Sequence, residues 1–425
     1  MDHVETVDEN AVLRARALLL GSSTPGFGKQ VEAYRILASV SPLAYLPKLT
    51  QALLSYGYAP EVRSRPEARL AHHEEAAAAA RRIDAGEPRR TELLVRALSA
   101  YRAALYAVGR RAEVFGICEE MAAAGRWGFE HGQVLSPLYG HGPLAIALAE
   151  SGRHQETAAL YGDLMRATRP EGSEEVSFWT MLEWAAELNA AGQHDRALEA
   201  FADTVDTTRL EVDQDSSALA ILAWQLVHQA GMLGAAGHHV EAHRIRREVL
   251  AVLYELDRTG ERKTWSNILS WWTTLYALSG RSAEPVPRPS APAPPFGFSL
   301  LDWSPDVKQA YFDGLPGLEA EVADLKGAAT TDSREHLAAL LFLHRRFTIR
   351  SALYCEQHNQ DILKPLRPLF NEGVAFARRL ADVAGGEESL AEVGRALTDR
   401  SMFLVAAKQY GEAYDDYCEV VDLLG

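Results

Sequence analysis

Three stretches of this chain hold residue types that could do chemistry. Gly21-Ser-Ser-Thr-Pro-Gly-Phe-Gly28-Lys29-Gln30 has the glycines and lysine of a phosphate loop. Such a loop needs a glycine five residues ahead of the Gly-Lys pair, where backbone N–H groups curl round the phosphates, and a Ser or Thr after the lysine to hold magnesium. Ser23 and Gln30 stand at those places, and the preceding run, residues 11–20, has the periodicity of a helix rather than a strand, so a glycine-proline turn is expected. His238, His239 and His243 around Glu241 have imidazole spacing that could ligate a metal, since residues four apart share a helical face. His72-His73-Glu74-Glu75 sets imidazoles beside carboxylates, the types used for proton transfer, but it lies in an alanine-rich helical run and is expected to be a solvated helix face. No nucleophile elbow, dinucleotide fingerprint or carboxylate pair with a defined partner is visible. The chain is accordingly not read as an enzyme, and no cofactor or metal is expected.

With 425 residues, 47% of them hydrophobic, the chain can bury a large core, as two or three globular domains or as one helical array. A formal charge of −15 is the wrong sign for a phosphate-tracking surface, so neither nucleic acid nor an anionic membrane is expected as a partner. Only seven of the 43 basic residues are Lys, a bias of overall composition rather than a mark of an arginine function. Cys118, Cys355 and Cys418 are sparse and far apart, which suits a reducing cytoplasm and offers neither a disulfide framework nor a zinc site. Residues 1–9 are acidic and lack the layout of a signal peptide. The longest apolar stretch, residues 218–237, carries Gln225, His228 and Gln229 near its middle, costly groups in a bilayer; a buried helix is expected there.

The elements that would position any site repeat along the chain. Gly109-Arg-Arg-Ala-Glu113-Val114, Gly152-Arg-His-Gln-Glu156-Thr157, Gly192-Gln-His-Asp-Arg196-Ala197 and Gly237-His-His-Val-Glu241-Ala242 are copies of one turn, with a weaker fifth at Gly280-Arg-Ser-Ala-Glu284. The glycines step by 43, 40, 45 and 43 residues, and a fixed period of this size marks a stacked helical array. Leu94, Leu98, Tyr101 and Leu105 share a face before Gly109, and Phe115, Cys118 and Met121 share one after it, so each unit is helix A, a glycine turn and helix B. The array also accounts for the histidines, because His154 and His194 fill the slot of His239 in neighbouring copies.

These residues resemble the tetratricopeptide repeat, best between Phe178 and Val205: Met181, Trp184, Ala185 and Leu188 on helix A, Gly192 at the turn, and Ala197, Phe201 and Thr204 on helix B. The long period is similar to that of kinesin light chains and many actinobacterial members; HEAT and armadillo arrays share periods in the forties, but the glycine-glutamate-alanine turn favours the tetratricopeptide reading. Looser copies are Leu46–Gly57 with residues 67–83, and Leu397, Ser401 and Leu404 before Tyr410-Gly-Glu412-Ala413, where Lys408 replaces the turn glycine; residues 336–380 read as one more long helical pair. The expected fold is all-α, a right-handed solenoid of antiparallel helix pairs. Residues 1–43 would form an N-terminal capping helix and loop, residues 44–281 the repeats, and 299–425 a C-terminal helical domain. Residues 282–298, with Pro285, Pro287, Pro289, Pro292, Pro294 and Pro295, would interrupt the array as an extended linker, or serve as a proline-rich ligand.

The resemblance implies a concave groove lined by helix A at its second, fifth, ninth, twelfth and thirteenth slots, with the turn glycine as slot fifteen. Arg96, Tyr139, Trp179, Trp224 and Asn267 then fall at slot two, Tyr106 and Asn189 at slot twelve, and Glu150 at slot thirteen. Aromatic rings with Asn and Arg rungs suit a peptide; the alternative is that Trp179 and Trp224 are core between repeats. Trp184 and Trp272 take the slot that packs helix A on helix B, and Trp271 points elsewhere. The implied function is a cytoplasmic scaffold holding a peptide or partner helix, or else a peptide- or small-ligand-responsive regulator acting through a protein partner. Because no obvious cap helix follows residues 414–424, a partner or a second copy is expected to cover that end. Whether the C-terminal domain continues the array or folds back across the groove is left open.

Overall fold

The computed structural model describes residues 8–21, 25–168, 177–214, 217–263, 268–328, 333–358 and 361–424. Every regular element among them is helical, and two isolated bridges, Arg288 with Ala291 and Phe296 with Phe298, are the only extended pairings. The chain divides into two compact units, Met1–Ala147 with Asp163–Glu175, and Leu148–Gly162 with Val176–Gly425.

The first unit contains α1 (Glu9–Leu20), α2 (Phe27–Val40), α3 (Pro42–Gly57), the single turn α4 (Pro60–Arg63), α5 (Pro66–Arg81), α6 (Arg90–Ala107) and α7 (Arg111–Glu130). Each long helix packs on the next, and α3 also meets α6. One apolar core runs through them, from Val31 and Leu53 through Leu70 and Ala76 to Leu98, Leu105 and Cys118. The first 43 residues hold two helices where one was expected, and Ala15 of α1 packs on Ala33 and Leu37 of α2. His73 also departs from expectation: it is 1% exposed, not on a solvated face. Gly57 makes the room, since a Cβ there would lie 2.4 Å from the imidazole.

Helices α8 (Gly142–Glu150) and α9 (His154–Thr168) contribute residues to both units. The second unit continues with α10 (Phe178–Ala190), α11 (His194–Asp213), α12 (Leu219–Ala235), α13 (His239–Thr259) and α14 (Ile268–Ser279), then a 3-10 turn at Arg281–Ala283. After a non-helical segment come α15 (Pro305–Asp313), α16 (Leu315–Ala328), α17 (Arg334–Gln357), α18 (Leu363–Ala384), α19 (Gly386–Ala406) and α20 (Tyr410–Leu424).

The repeated turns have one backbone geometry. Gly109, Gly152, Gly192 and Gly237 have φ of +73, +75, +77 and +83°, the left-handed conformation that glycine adopts without a Cβ clash. In each, the N–H after that residue reaches back to a leucine carbonyl: Arg110 to Leu105, Arg153 to Leu148, Gln193 to Leu188 and His238 to Leu233, at 2.9–3.0 Å. The turn between α19 and α20 is the fifth of this kind, with Gln409 N–H on Leu404 C=O at 2.8 Å and Lys408 in the glycine's place at φ +59°. Gly280 is different. Its φ is −98°, and no second helix follows, because Pro285 and Pro287 come next and cannot extend one.

Between hairpins, bidentate ion pairs recur at the repeat spacing: Arg35 with Glu75, Arg81 with Glu120 and Arg209 with Glu248, 39 or 40 residues apart. Each adds up to about 1 kcal/mol, so they tune register while the apolar faces hold the hairpins together.

Within the second unit the C-terminal helices fold back. Helix α19 packs on α12 and α14, and α20 packs on α13. The apolar face of α20, with Tyr417 and Val420 each 1% exposed, is thus covered from within the unit, and Arg246 Nη1 donates to Leu424 C=O at 3.0 Å. The stretch over residues 218–237 is the buried helix α12, in which Gln225 is fully buried. No helix of the described residues is long and apolar enough to cross a membrane.

Candidate functional site

The most developed constellation lies in the second unit, where the segment 284–304 crosses α8 and α10. The proline-rich stretch was expected to link two domains, but it lies within one compact unit. Its first half is exposed and turns tightly at Pro289–Ser290, with Arg288 and Ala291 exchanging both backbone hydrogen bonds. Its second half is buried. Phe296, Phe298, Leu300 and Trp303 are each 2–3% exposed, and burial of each such side chain contributes roughly 1.5–3 kcal/mol. Phe296 and Trp303 meet Tyr311 of α15 edge-to-face, with ring centroids 6.1 and 5.4 Å away. Tyr161 of α9 approaches Phe298 at 6.4 Å.

Carboxyl groups of helices A fasten this strap. Glu150, fully buried at the end of α8, accepts from Ser304 N–H at 2.8 Å and Ser304 Oγ at 2.7 Å, and its own C=O accepts from Ala293 N–H at 3.1 Å. Glu187 of α10, also fully buried, accepts from His154 Nδ1 at 2.8 Å and Arg281 Nη2 at 3.1 Å; Arg281 Nη1 donates to Ala186 C=O as well. At the other end of the segment Glu284 pairs with Arg346 and Arg350 of α17. Between these anchors Gly297, at φ +103°, lies so close to α10 that a Cβ would sit 2.4 Å from Ala186 Cβ.

Glu183, half-buried one turn before Glu187, accepts the Tyr161 hydroxyl proton. Burial pushes its carboxyl up to about 8, with Asp302 and Glu187 adding to the rise against the Tyr161 hydrogen bond. Tyr161 is pushed far above its ordinary range, by burial first and the Glu183 charge second. Burial lowers Lys308, which feels Asp302 and Glu356. Sequence reading missed Tyr161, Glu183, Glu187, Arg281 and Asp302 as a group. The available signal was a Glu-x-x-x-Glu pair set between Leu182, Trp184, Ala185, Ala186 and Leu188 on a mostly apolar helix.

The eight groove residues fall into separate places. Arg96, exposed on α6, pairs with Glu92 at 3.2 Å, and both feel the half-buried Tyr139, whose hydroxyl burial raises. Tyr106, half-buried on the same helix, carries Arg111 over its ring at 5.8 Å. Trp179 joins Phe178 and Trp271 in a half-buried aromatic cluster, with Trp271 3.8 Å from Phe178 and 4.8 Å from Trp179 between centroids. Asn189 is exposed and accepts from His194 Nδ1 at 2.7 Å. Trp224 and Glu150 are closed off: Trp224 is 3% exposed with its indole N–H on Met402 C=O of α19, and Ser304 covers Glu150. Asn267 lies outside the described residues. Trp272 is 1% exposed, but against Phe370 of α18 and Phe403 of α19, since α14 has no helix B of its own to pack on; Trp184 is half-buried with its N–H on Ala158 C=O.

His239 begins α13 and is exposed, and among the described residues no group of His, Cys, Asp and Glu has a metal-holding arrangement. The phosphate-loop-like stretch falls partly outside the described residues; Gly26 precedes α2 and the Gln30 amide donates to Pro25 C=O. A narrow cleft between α14, α17, α18 and α19 is lined by Tyr276, Leu341 and Phe370 together with His344, Arg345 and Asp399, with Arg345 and Asp399 paired at 2.6 Å. Protein-family models and curated proteins were both compared with this chain, and none matches.

Proposed function

We propose that this protein is a cytoplasmic interaction scaffold whose helix pairs are tetratricopeptide-like repeats of a right-handed solenoid, and that it holds an extended peptide on the helix-A face of its first unit. One observation carries this reading. In the second unit the same kind of face already holds an extended stretch of the chain's own backbone, through Ala293 N–H on Glu150 C=O, Ser304 on the Glu150 carboxylate and Gly297 against Ala186. In the second unit the strap covers Glu150 and α19 covers Trp224, and the reading places the peptide on Arg96, Tyr106 and Tyr139 of the first unit. Their chemistry suits a peptide. Arg96 and Glu92 can exchange their mutual ion pair for one with a ligand, and the tyrosines offer rigid contact area with a polar tip.

A displayed peptide library selected on the full chain tests the reading, with an Arg96→Ala/Tyr139→Ala variant as comparison and circular dichroism as the check on folding. Selected peptides are expected to bind the folded variant at least about tenfold more weakly, the loss typical of removing one or two anchors. Equal binding to both proteins would move the site off this face, and an empty selection would sink the peptide reading.

A further inference from the structure

The N-terminal ends of α10 and α14 bring three large rings together in the second unit. Phe178 and Trp179 open α10, and Trp271 lies in the first turn of α14. The Trp271 ring centroid is 3.8 Å from that of Phe178 and 4.8 Å from that of Trp179, and Phe178 meets Trp179 edge-on at 5.8 Å. All three stay half-buried, whereas Trp272, the next residue along α14, is 1% exposed. The faces of such rings carry partial negative charge, which attracts a cation. Two carboxyl groups stand beside them. Glu183 follows Trp179 by one helical turn, so the two share a face of α10. Glu356 of α17 accepts from Ser270 Oγ, on the residue before Trp271, at 2.6 Å, and also from Thr273 Oγ1. Both carboxyl groups are half-buried, and among the described residues their hydrogen-bond partners are hydroxyls alone, Tyr161 in the case of Glu183. Other carboxylates of this unit, Glu248, Asp399 and Asp416, are met by arginines. A hydroxyl leaves the negative charge in place. Asp302 of the strap adds to the charge felt at Glu183, and Lys308, which feels Asp302 and Glu356, offsets part of it.

We propose that the cluster of Phe178, Trp179 and Trp271, flanked by Glu183 and Glu356, binds the alkylated ammonium head group of a small molecule. The rings take the methyl surface of the head, and the two carboxyl groups take its charge. A methylated ammonium suits this division better than a bare one, because its charge is spread over methyl groups and it gives up water more readily. The site belongs to the second unit and does not depend on the peptide reading, which concerns the first.

Choline and its neutral isostere, in which a tert-butyl group replaces the trimethylammonium, separate charge from shape. Ligand-observed NMR titration of the full chain measures both, at about pH 9, above the value to which burial holds Glu183. Choline is expected to bind in the millimolar range or tighter, and the isostere at least about tenfold more weakly. Trp271→Leu and Glu183→Gln should each weaken choline by about threefold to tenfold with the circular dichroism spectrum unchanged. Lys308→Gln removes the offsetting cation and should tighten it, a gain that a merely structural role for these groups does not give. No choline binding by the wild type would overturn the site. Equal binding of choline and isostere would also overturn it, leaving an apolar patch, and so would choline binding unchanged across Glu183→Gln and Lys308→Gln. Binding of N-acetyl-trimethyllysine amide more than about tenfold tighter than choline would put the head group on a protein chain and overturn the small-molecule assignment.

Discussion

Gly297 shows what one residue is asked to do. Its φ of +103° and the 2.4 Å that a Cβ would leave to Ala186 both forbid a side chain. Gly297→Ala is expected to lower stability by about 1–3 kcal/mol through the backbone strain alone, with the clash added to it. Thermal denaturation of Gly297→Ala with and without Ala186→Gly separates the two terms, because only the clash is relieved in the double variant. At Trp224 the residue is legible in sequence but its environment is not. Its slot-two position holds whether the indole faces a ligand or core, and it was Met402 and the helix around it that decided for core. Trp224→Ala should therefore cost about 3–5 kcal/mol in chemical denaturation, which makes it a poor probe of binding. A loss under 1 kcal/mol would place the ring back at the surface.

At the scale of the element, the hairpin turn follows from local chemistry. A leucine carbonyl four residues before a left-handed residue accepts the N–H that follows it, and this recurs five times whether the left-handed residue is glycine or, once, Lys408. Nothing lies within 4 Å of the place a Cβ would take at Gly192, so Gly192→Ala tests conformation without a clash. It should destabilise by about 1 kcal/mol. Lys408→Gly should stabilise by somewhat less, since glycine also gains freedom in the unfolded chain. Midpoints of urea unfolding at unchanged slope would measure both, and opposite signs are the result required. The failed fifth turn obeys the same chemistry. Gly280 was legible as a possible turn, but the prolines behind it leave helix α14 without a sequential partner, and α17 and α19 pack on it instead.

For the whole molecule, imidazoles whose charged form is disfavoured by burial set the acid limb of stability. Burial holds His73 of the first unit and His228 and His344 of the second down to about 4, so each is neutral in the fold and takes up a proton more readily when unfolded. Their contribution is complete above about 6.5 and is lost as pH falls through 4, so the melting temperature should drop steadily across that window. Glu183 acts in the opposite sense, its contribution complete below about 4.5 and lost as pH rises through 8. A melting temperature flat from pH 4 to 6.5 would contradict the burial of the imidazoles, and Gln at positions 73, 228 and 344 in turn would assign the slope. The sequence by itself determined that the chain is helical, where most hairpins turn, and which residues face their neighbours within a hairpin, because spacing of 3.6 residues, glycine stereochemistry and proline's missing N–H act over a few residues. Tertiary structure alone decided which helix-A faces stay open. Glu150 meets Ser304 across 154 residues and Trp224 meets Met402 across 178, and no local period records which distant segment will come to cover a given face.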